Sequence, residues 1–326
     1  MRTFFLATLM VCAVLPGQAA MALPSRPILR VAAVGQFGTT PYPSSAIVSG
    51  VLQSGAPAGQ PYYARTAGIG SDARNSFLSS LGFSSEPVQV SMDPRRDAPY
   101  RMVYSRCAGS GAMAGCALFA QVRGEQVVEP VVVTPAVVGT RDRLPSTFGG
   151  ATAFARSRVG SASAELRYTA TIGGPSSKVP GGPGGTGAAG PLGVAMHGEM
   201  IAYVWSWRTK TGSHSSLRLY RRGGATETLV ALPSARGRII GPSWQKRRLV
   251  FGVRRNGLST LYRYDPSTRR YASAQGPRKL AAIAATDTYL YWQTASSTSL
   301  RSGLCPASGC ALWLDQPSFG GAARPT

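Results

Sequence analysis

Short apolar runs rich in β-branched and aromatic residues follow one another along this chain, each bounded by glycine, proline, asparagine or serine, which is the pattern of a strand meander. The clearest stretch is 241–272. Labelling its strands A to D from the inside outward, A ends near Trp244, B covers 249–253, C covers 258–265 and D begins near Arg270. Within strand B an aromatic residue stands behind a small or branched apolar one. That feature recurs at Tyr63, Tyr104, Phe154, Tyr203, Phe251 and Tyr291, at intervals of 41, 50, 49, 48 and 40 residues. Such a period marks a repeat architecture, and a unit of this length matches one four-stranded blade. The expected fold is all-β: a six-bladed β-propeller of four-stranded antiparallel blades centred on those six aromatics, each of which packs as core.

The ends of the chain complete this picture. Arg2, an apolar run over 4–15 and small residues at Ala19, Ala20 and Ala22 form a secretory signal over 1–22. The run is shorter than the ~20 residues that cross a bilayer. Residues 23–326 then form a single propeller domain. Its last unit offers a strand C over 310–315 and only a Gly, Ala and Pro tail where strand D should be. The unassigned apolar run 28–34 is expected to supply that strand and close the ring, since an open blade edge invites mispairing. The Gly, Pro and Ala tract over 180–191 reads as a flexible loop, because it lacks the side chains to pack.

Pro242, Trp244, Leu249-Val250-Phe251, Leu261-Tyr262 and Asp265 resemble the repeat of the TolB-like propellers, Pro-x-Trp-Ser-Pro-Asp-Gly, then Ile-Ala-Phe, then Leu-Tyr with a following Asp. Lys246-Arg247-Arg248 replaces the Pro-Asp-Gly turn. Weaker echoes stand at Ile201-Ala202-Tyr203, Met102-Val103-Tyr104 and Tyr289-Leu290-Tyr291. The resemblance implies architecture over about 46–315. The chain lacks room for the N-terminal α/β domain of TolB, so the partner of that protein is not carried over.

Export changes how the cysteines are read. With Cys12 in the signal, Cys107, Cys116, Cys305 and Cys310 remain in an oxidising compartment, and local pairing gives the disulfides Cys107-Cys116 and Cys305-Cys310. Their spacings without neighbouring histidine make poor zinc sites; no metal and no cofactor is expected.

The formal charge of +22 rests on 31 Arg and four Lys against 13 acids. Such a field attracts polyanions, although a GC-rich genome also yields arginine, and excess charge keeps an exported protein soluble. Turn parity sharpens the reading. In a meander the A–B and C–D turns share one face, so Arg95, Arg96, Arg221, Arg222, Lys246, Arg247, Arg248, Arg269 and Arg270 belong together, mainly on blades four and five, and Arg254 and Arg255 belong to the other face. Arg forks grip carboxylates and phosphates bidentately, while charge runs commonly mark solvated faces. No nucleic-acid motif is present. Trp205 and Trp207 alternate near a loop, so one of them is a candidate ligand contact.

Catalytic signals are sparse. His197 and His214 are the only histidines, which disfavours a multi-histidine metal site. His214 on a B–C loop is a candidate lone base, and His197 with Glu199 reads as exposed turn residues. A glycosidase needs two carboxylates about 5–9.5 Å apart, and the acids are scattered. The sequence therefore points to an exported, monomeric, non-catalytic binding or scaffold module, secreted or held in the periplasm or cell envelope, for a protein or an acidic polymer. The alternative is a propeller hydrolase or lyase acting on glycans or lactones.

Overall fold

The computed structural model describes residues 34–41, 46–52, 62–68, 76–82, 84, 89–93, 95, 99–108, 115–122, 130–135, 137–285, 290–294 and 319–325. They fold into successive antiparallel sheets. The first holds β1 (Val34–Pro41), β2 (Ala46–Leu52), β3 (Tyr62–Gly68) and β4 (Ser76–Gly82); the second β5 (Val90–Met92), β6 (Tyr100–Ala108), β7 (Gly115–Val122) and β8 (Val131–Val132); the third β9 (Thr140–Phe148), β10 (Ala151–Arg158), β11 (Ala164–Thr169) and β12 (Ser176–Lys178). The fourth holds β13 (Ala189–His197), β14 (Met200–Thr209), β15 (Gly212–Arg221) and β16 (Thr226–Pro233). The fifth holds β17 (Arg238–Gln245), β18 (Arg248–Arg255), β19 (Leu258–Asp265) and β20 (Arg270–Gln275), and the sixth β21 (Leu280–Ala285) and β22 (Leu290–Thr294). A single parallel bridge, Cys116 to Arg141, joins the second and third sheets.

Each sheet is a blade. The innermost strands β1, β5, β9, β13, β17 and β21 touch in sequence, and β21 meets β1 again. The protein is a six-bladed β-propeller. Val34, the last residue of the expected closing strand, begins β1, which pairs with β2; positions 28–33 lie outside the described residues, as do the signal segment, Cys305, Cys310 and 310–315.

The aromatic period has a packing cause. Phe154, Tyr203 and Phe251 are fully buried on the second strand of blades three, four and five. Each fills the seam with the preceding blade: Phe154 against Val103 and Leu118, Tyr203 against Ala153 and Leu166, Phe251 against Leu217 and Leu229. Tyr104 and Tyr291 also lie on second strands. Tyr63 does not; it falls on β3, the third strand of its blade, opposite Leu52. A motif of two residues recurs there by composition rather than by register.

Polar links repeat beside the apolar seams. An innermost strand has a sheet partner on one side only, so some of its N–H groups lack a ladder partner, and three find a serine hydroxyl on the preceding blade. The Ser91 hydroxyl accepts from Thr147 N at 3.2 Å, Ser146 from Met196 N at 2.9 Å and Ser243 from Ala285 N at 2.8 Å. Between blades four and five the corresponding residue is Ala195, and its carbonyl instead accepts from Trp244 Nε1 at 3.1 Å. Buried Asp93 ties blade two to blade three by accepting from Gly150 N at 2.9 Å.

Two expectations about the chain between strands are corrected. The tract over 180–191 is docked rather than flexible. Tyr203 OH donates to Pro180 O at 2.6 Å, Trp205 Nε1 donates to Pro183 O at 3.0 Å, and Thr186 N donates to Arg208 O at 2.9 Å. Its contribution is backbone laid against an indole: a Cβ on Gly182 would stand 2.1 Å from Trp205 Cδ1. The tail, expected near the sixth blade, forms β23 (Gly320–Ala322), which pairs with β20 as a fifth strand of blade five. Arg324 continues across to blade four, where Nε donates to Leu229 O at 2.6 Å and Nη2 to Thr228 O.

Candidate functional site

Where the inner strands of blades three and four end, and along the groove between blades four and five, lies a cleft of about 1100 Å³. Three kinds of element meet there. The ends of innermost strands supply Phe148, His197 and Gln245; the tight turns that follow supply Gly198, Glu199, Lys246 and Arg247; farther out come Met200, Arg221, Arg248, Arg263 and the turn Asp265-Pro266-Ser267. Turn parity explains the meeting, since these are A–B and C–D turns with the strand ends beside them.

Five cationic side chains, Arg221, Lys246, Arg247, Arg248 and Arg263, line this cleft with two carboxylates, Glu199 and Asp265. Both acids are already engaged. Glu199 Oε1 lies 2.8 Å from Arg222 Nη2. Asp265 accepts from the Ser267 hydroxyl at 2.6 Å and from Ser267 N at 2.9 Å, and Arg248 Nε stands 3.6 Å away. The Ser267 hydroxyl is the first cause that holds the Asp265 carboxyl below its ordinary range, with the amides of Ser267 and Thr268 and the Arg248 charge adding to it against burial. Burial, and then the Arg248 charge, depress the Arg263 guanidinium, as expected where like charges crowd in a partly desolvated groove.

The floor is aromatic. His197 is half-buried between blades, 4.6 Å from the Phe148 ring with a 46° tilt and 5.5 Å from the Trp244 ring with a 39° tilt. This corrects its reading as an exposed turn residue.

Of the nine basic residues singled out from the sequence, Arg221, Lys246, Arg247 and Arg248 are gathered in the cleft. Arg222 turns aside, donating from Nη1 to Tyr168 OH at 2.7 Å and pairing with Glu199. Arg95 is exposed at the turn after β5, its side chain lying against Gly149 of the next blade. Arg269 and Arg270 are exposed at the β19–β20 turn, Arg270 facing Asp265 in the ladder. Arg96 lies outside the described residues. Arg254 is on the other face, where Nη1 donates to Leu280 O at 2.9 Å.

Arg263, Phe148 and His197 were not foreseen as lining residues. The aromatic pair carries a signal, however: Phe148 to His197 is 49 residues and His197 to Gln245 is 48, so all three occupy one repeat position.

The other face carries Cys107 and Cys116, cross-strand partners joined in a disulfide that staples the β6–β7 loop as expected. Trp205 is buried beneath the glycine tract, and Trp207 is half-buried with its ring stacked on His214 at 5.4 Å. His214 lies in β15 rather than a loop, and its Nε2 is 3.1 Å from Thr209 Oγ1. Among the described residues no cluster of three His, Cys, Asp or Glu could hold a metal, and no helix is long and apolar enough to cross a membrane.

No family model matches the sequence, and no curated protein matches it. Solved structures do. A prolyl endopeptidase is 9% identical over 90% of this chain and 43% of its own, with a TM-score of 0.51. The GH93 α-L-arabinofuranosidase of Fusarium graminearum, solved with arabinobiose, is 11% identical over 89% of this chain and 93% of its own, also at 0.51. TolB from Acinetobacter baumannii is 13% identical over 75% of this chain and 55% of its own, at 0.47. The chain thus spans about half the length of TolB and of the prolyl endopeptidase. Likeness at such low identity concerns the propeller fold alone.

Proposed function

We propose that this chain is an exported, non-catalytic binding module of the cell envelope that holds an acidic polymer in the groove between blades four and five. The observation that carries this reading is the charge balance of the groove. Its five cations face two carboxylates, and each of the six described carboxylates of the chain is already committed within the fold. Asp93 accepts from Gly150 N, Asp142 pairs with Arg156 at 2.6 Å, Glu165 with Arg167 and Lys178, Glu199 with Arg222 and Asp265 with Ser267, while Tyr264 OH donates to Glu227. Among the described residues the groove therefore carries an excess of positive charge, which an acidic ligand would balance. A hydrolytic propeller would need a pair of carboxylates spared for proton transfer, and the same commitments speak against that role for the described acids. The Cys107–Cys116 disulfide fits an oxidising compartment.

The test is retention of the purified protein on the envelope fraction of its own organism across a salt titration. Electrostatic retention by several contacts weakens steeply with salt. Replacing Arg221, Arg247, Arg248 and Arg263 with Ser should flatten that dependence, whereas Arg254→Ser with Arg255→Ser should not. Equal effects from the two sets would refute the one-face reading.

A further inference from the structure

The C-terminal strand reaches the groove from outside. β23 lies antiparallel along the outer edge of blade five, with Ala322 opposite Tyr271 and Gly320 opposite Ser273. A Cβ added to Gly320 or Gly321 would meet nothing within 4 Å, so these residues contribute backbone pairing and little else. The side-chain grip sits at the two ends. Arg324 is hydrogen-bonded to the Leu229 and Thr228 carbonyls of blade four, and Pro325 after it is buried. At the other end Phe319 packs against the apolar cluster that includes Leu261, Leu280 and Leu290, and the Arg263 guanidinium lies over its ring, 4.7 Å from the centroid. The register brings the two together: Arg263 is opposite Ala272, Ala272 is opposite Gly321, and Phe319 reaches Arg263 diagonally from two residues away.

That contact changes what Arg263 can do in the groove. Arg263 lines it beside Arg248, whose charge acts on it together with burial. Two guanidiniums on one rim repel, and a long side chain relieves the repulsion by swinging into solvent. The negative face of an aromatic ring opposes this and fixes the fork in place. Asp265 does not take that role, because its carboxylate stands 3.6 Å from Arg248 and accepts from Ser267. Resting on the proposed anion-binding role, we propose that Phe319 is a positioning residue of that site. It holds Arg263 beside Arg248 before a ligand arrives, which reduces the ordering that binding requires. The C-terminal strand serves the groove although none of its described residues lines it.

Calorimetry on the full mature chain at fixed ionic strength, with inorganic polyphosphate as the probe, tests this. Phe319→Leu keeps the apolar volume and removes the ring, and affinity should fall roughly two- to fivefold. Phe319→Tyr keeps the ring and should bind as the parent does, which separates loss of the ring from a general disturbance of the seam. In an Arg263→Ser background Phe319→Leu should have no further effect, since the ring acts through that guanidinium. A role in packing alone would lower the melting temperature of Phe319→Leu and leave its affinity at the parent value, and that result overturns the inference. Equal weakening with and without Arg263 overturns it as well. In both cases the anion site stands if Arg221→Ser with Arg248→Ser weakens binding. If that pair leaves polyphosphate binding unchanged, the anion site itself fails, and the positioning role with it.

Discussion

Removing the hydroxyl of Ser146 tests whether the propeller is held together by its polar seams as well as its apolar ones. Ser146 is 8% exposed and accepts from Met196 N, whose residue is 5% exposed, at 2.9 Å. Met196 sits on an innermost strand, so this N–H points toward the preceding blade and away from its own sheet. In Ser146→Ala the donor loses that partner in a site too closed for bulk water to replace it. An orphaned buried donor costs about 1–3 kcal/mol, which in a domain of this size lowers the melting temperature by roughly 2–8 °C. Ser243→Ala should behave alike through Ala285 N, and Ser91→Ala less so, since its bond is 3.2 Å and Ser91 is half-buried. Ser146 and Ser243 share no partner, so their effects should add. Ser161→Ala in an exposed turn is the control, with an effect below about 0.5 kcal/mol. Differential scanning calorimetry reads all of these. A Ser146→Ala protein melting within about 1 °C of the parent would refute the argument that this hydroxyl secures the seam.

Three further outcomes follow from other parts of the molecule. Gly182→Ala forces a methyl into the Trp205 indole and should cost about 1–3 kcal/mol, with a change in tryptophan emission; Gly184→Ala, with nothing within 4 Å of its added carbon, should do neither. Lys246 holds a left-handed φ of 53°, so Lys246→Gly should stabilise by roughly 0.5–1 kcal/mol while weakening salt-sensitive retention. Lys279→Gly, at φ 55° in the β20–β21 connection, should stabilise without that loss, and equal retention in both variants would remove Lys246 from the site. Burial pushes Tyr104 up to about 12 and raises Tyr203 and Tyr264 as well. A raised folded value means a stabilisation fully present below the unfolded tyrosine value of about 10 and lost as pH climbs toward the folded one. Absorbance at 295 nm should therefore show these phenols ionising together with alkaline unfolding, and their full ionisation at pH 10 in a folded protein would contradict it.

Blade five was legible almost residue by residue. Strand C was expected at 258–265 and β19 is Leu258–Asp265; strand D was expected from Arg270 and β20 begins there. That unit carries both a strand-B aromatic and turn residues, so periodicity and punctuation agree. Tyr63 shows the limit of using the aromatic alone, because nothing in a two-residue motif fixes which strand of a blade it occupies. Arg263 shows another limit. Alternation along β19 separates its two faces, but whether the outward face meets solvent or the wall of another blade depends on residues some fifty positions away. The glycine tract was misread for a related reason. Composition measures how much side chain a segment brings to a core, and this one brings none; its partner, Trp205, supplies all the bulk.

That docking inverts the usual map of tolerance to mutation. A scan of every single substitution should find the paired arginines of the exposed turns permissive for folding, although composition makes them conspicuous. Gly181, Gly182 and Gly185, in a stretch that sequence-complexity filters would discard as featureless, should be among the least replaceable positions in the chain, since a side chain on any of them collides with Trp205 or with the Arg208 carbonyl. Drift among homologues would then be fastest in the charged turns and slowest in the plainest segment of the sequence.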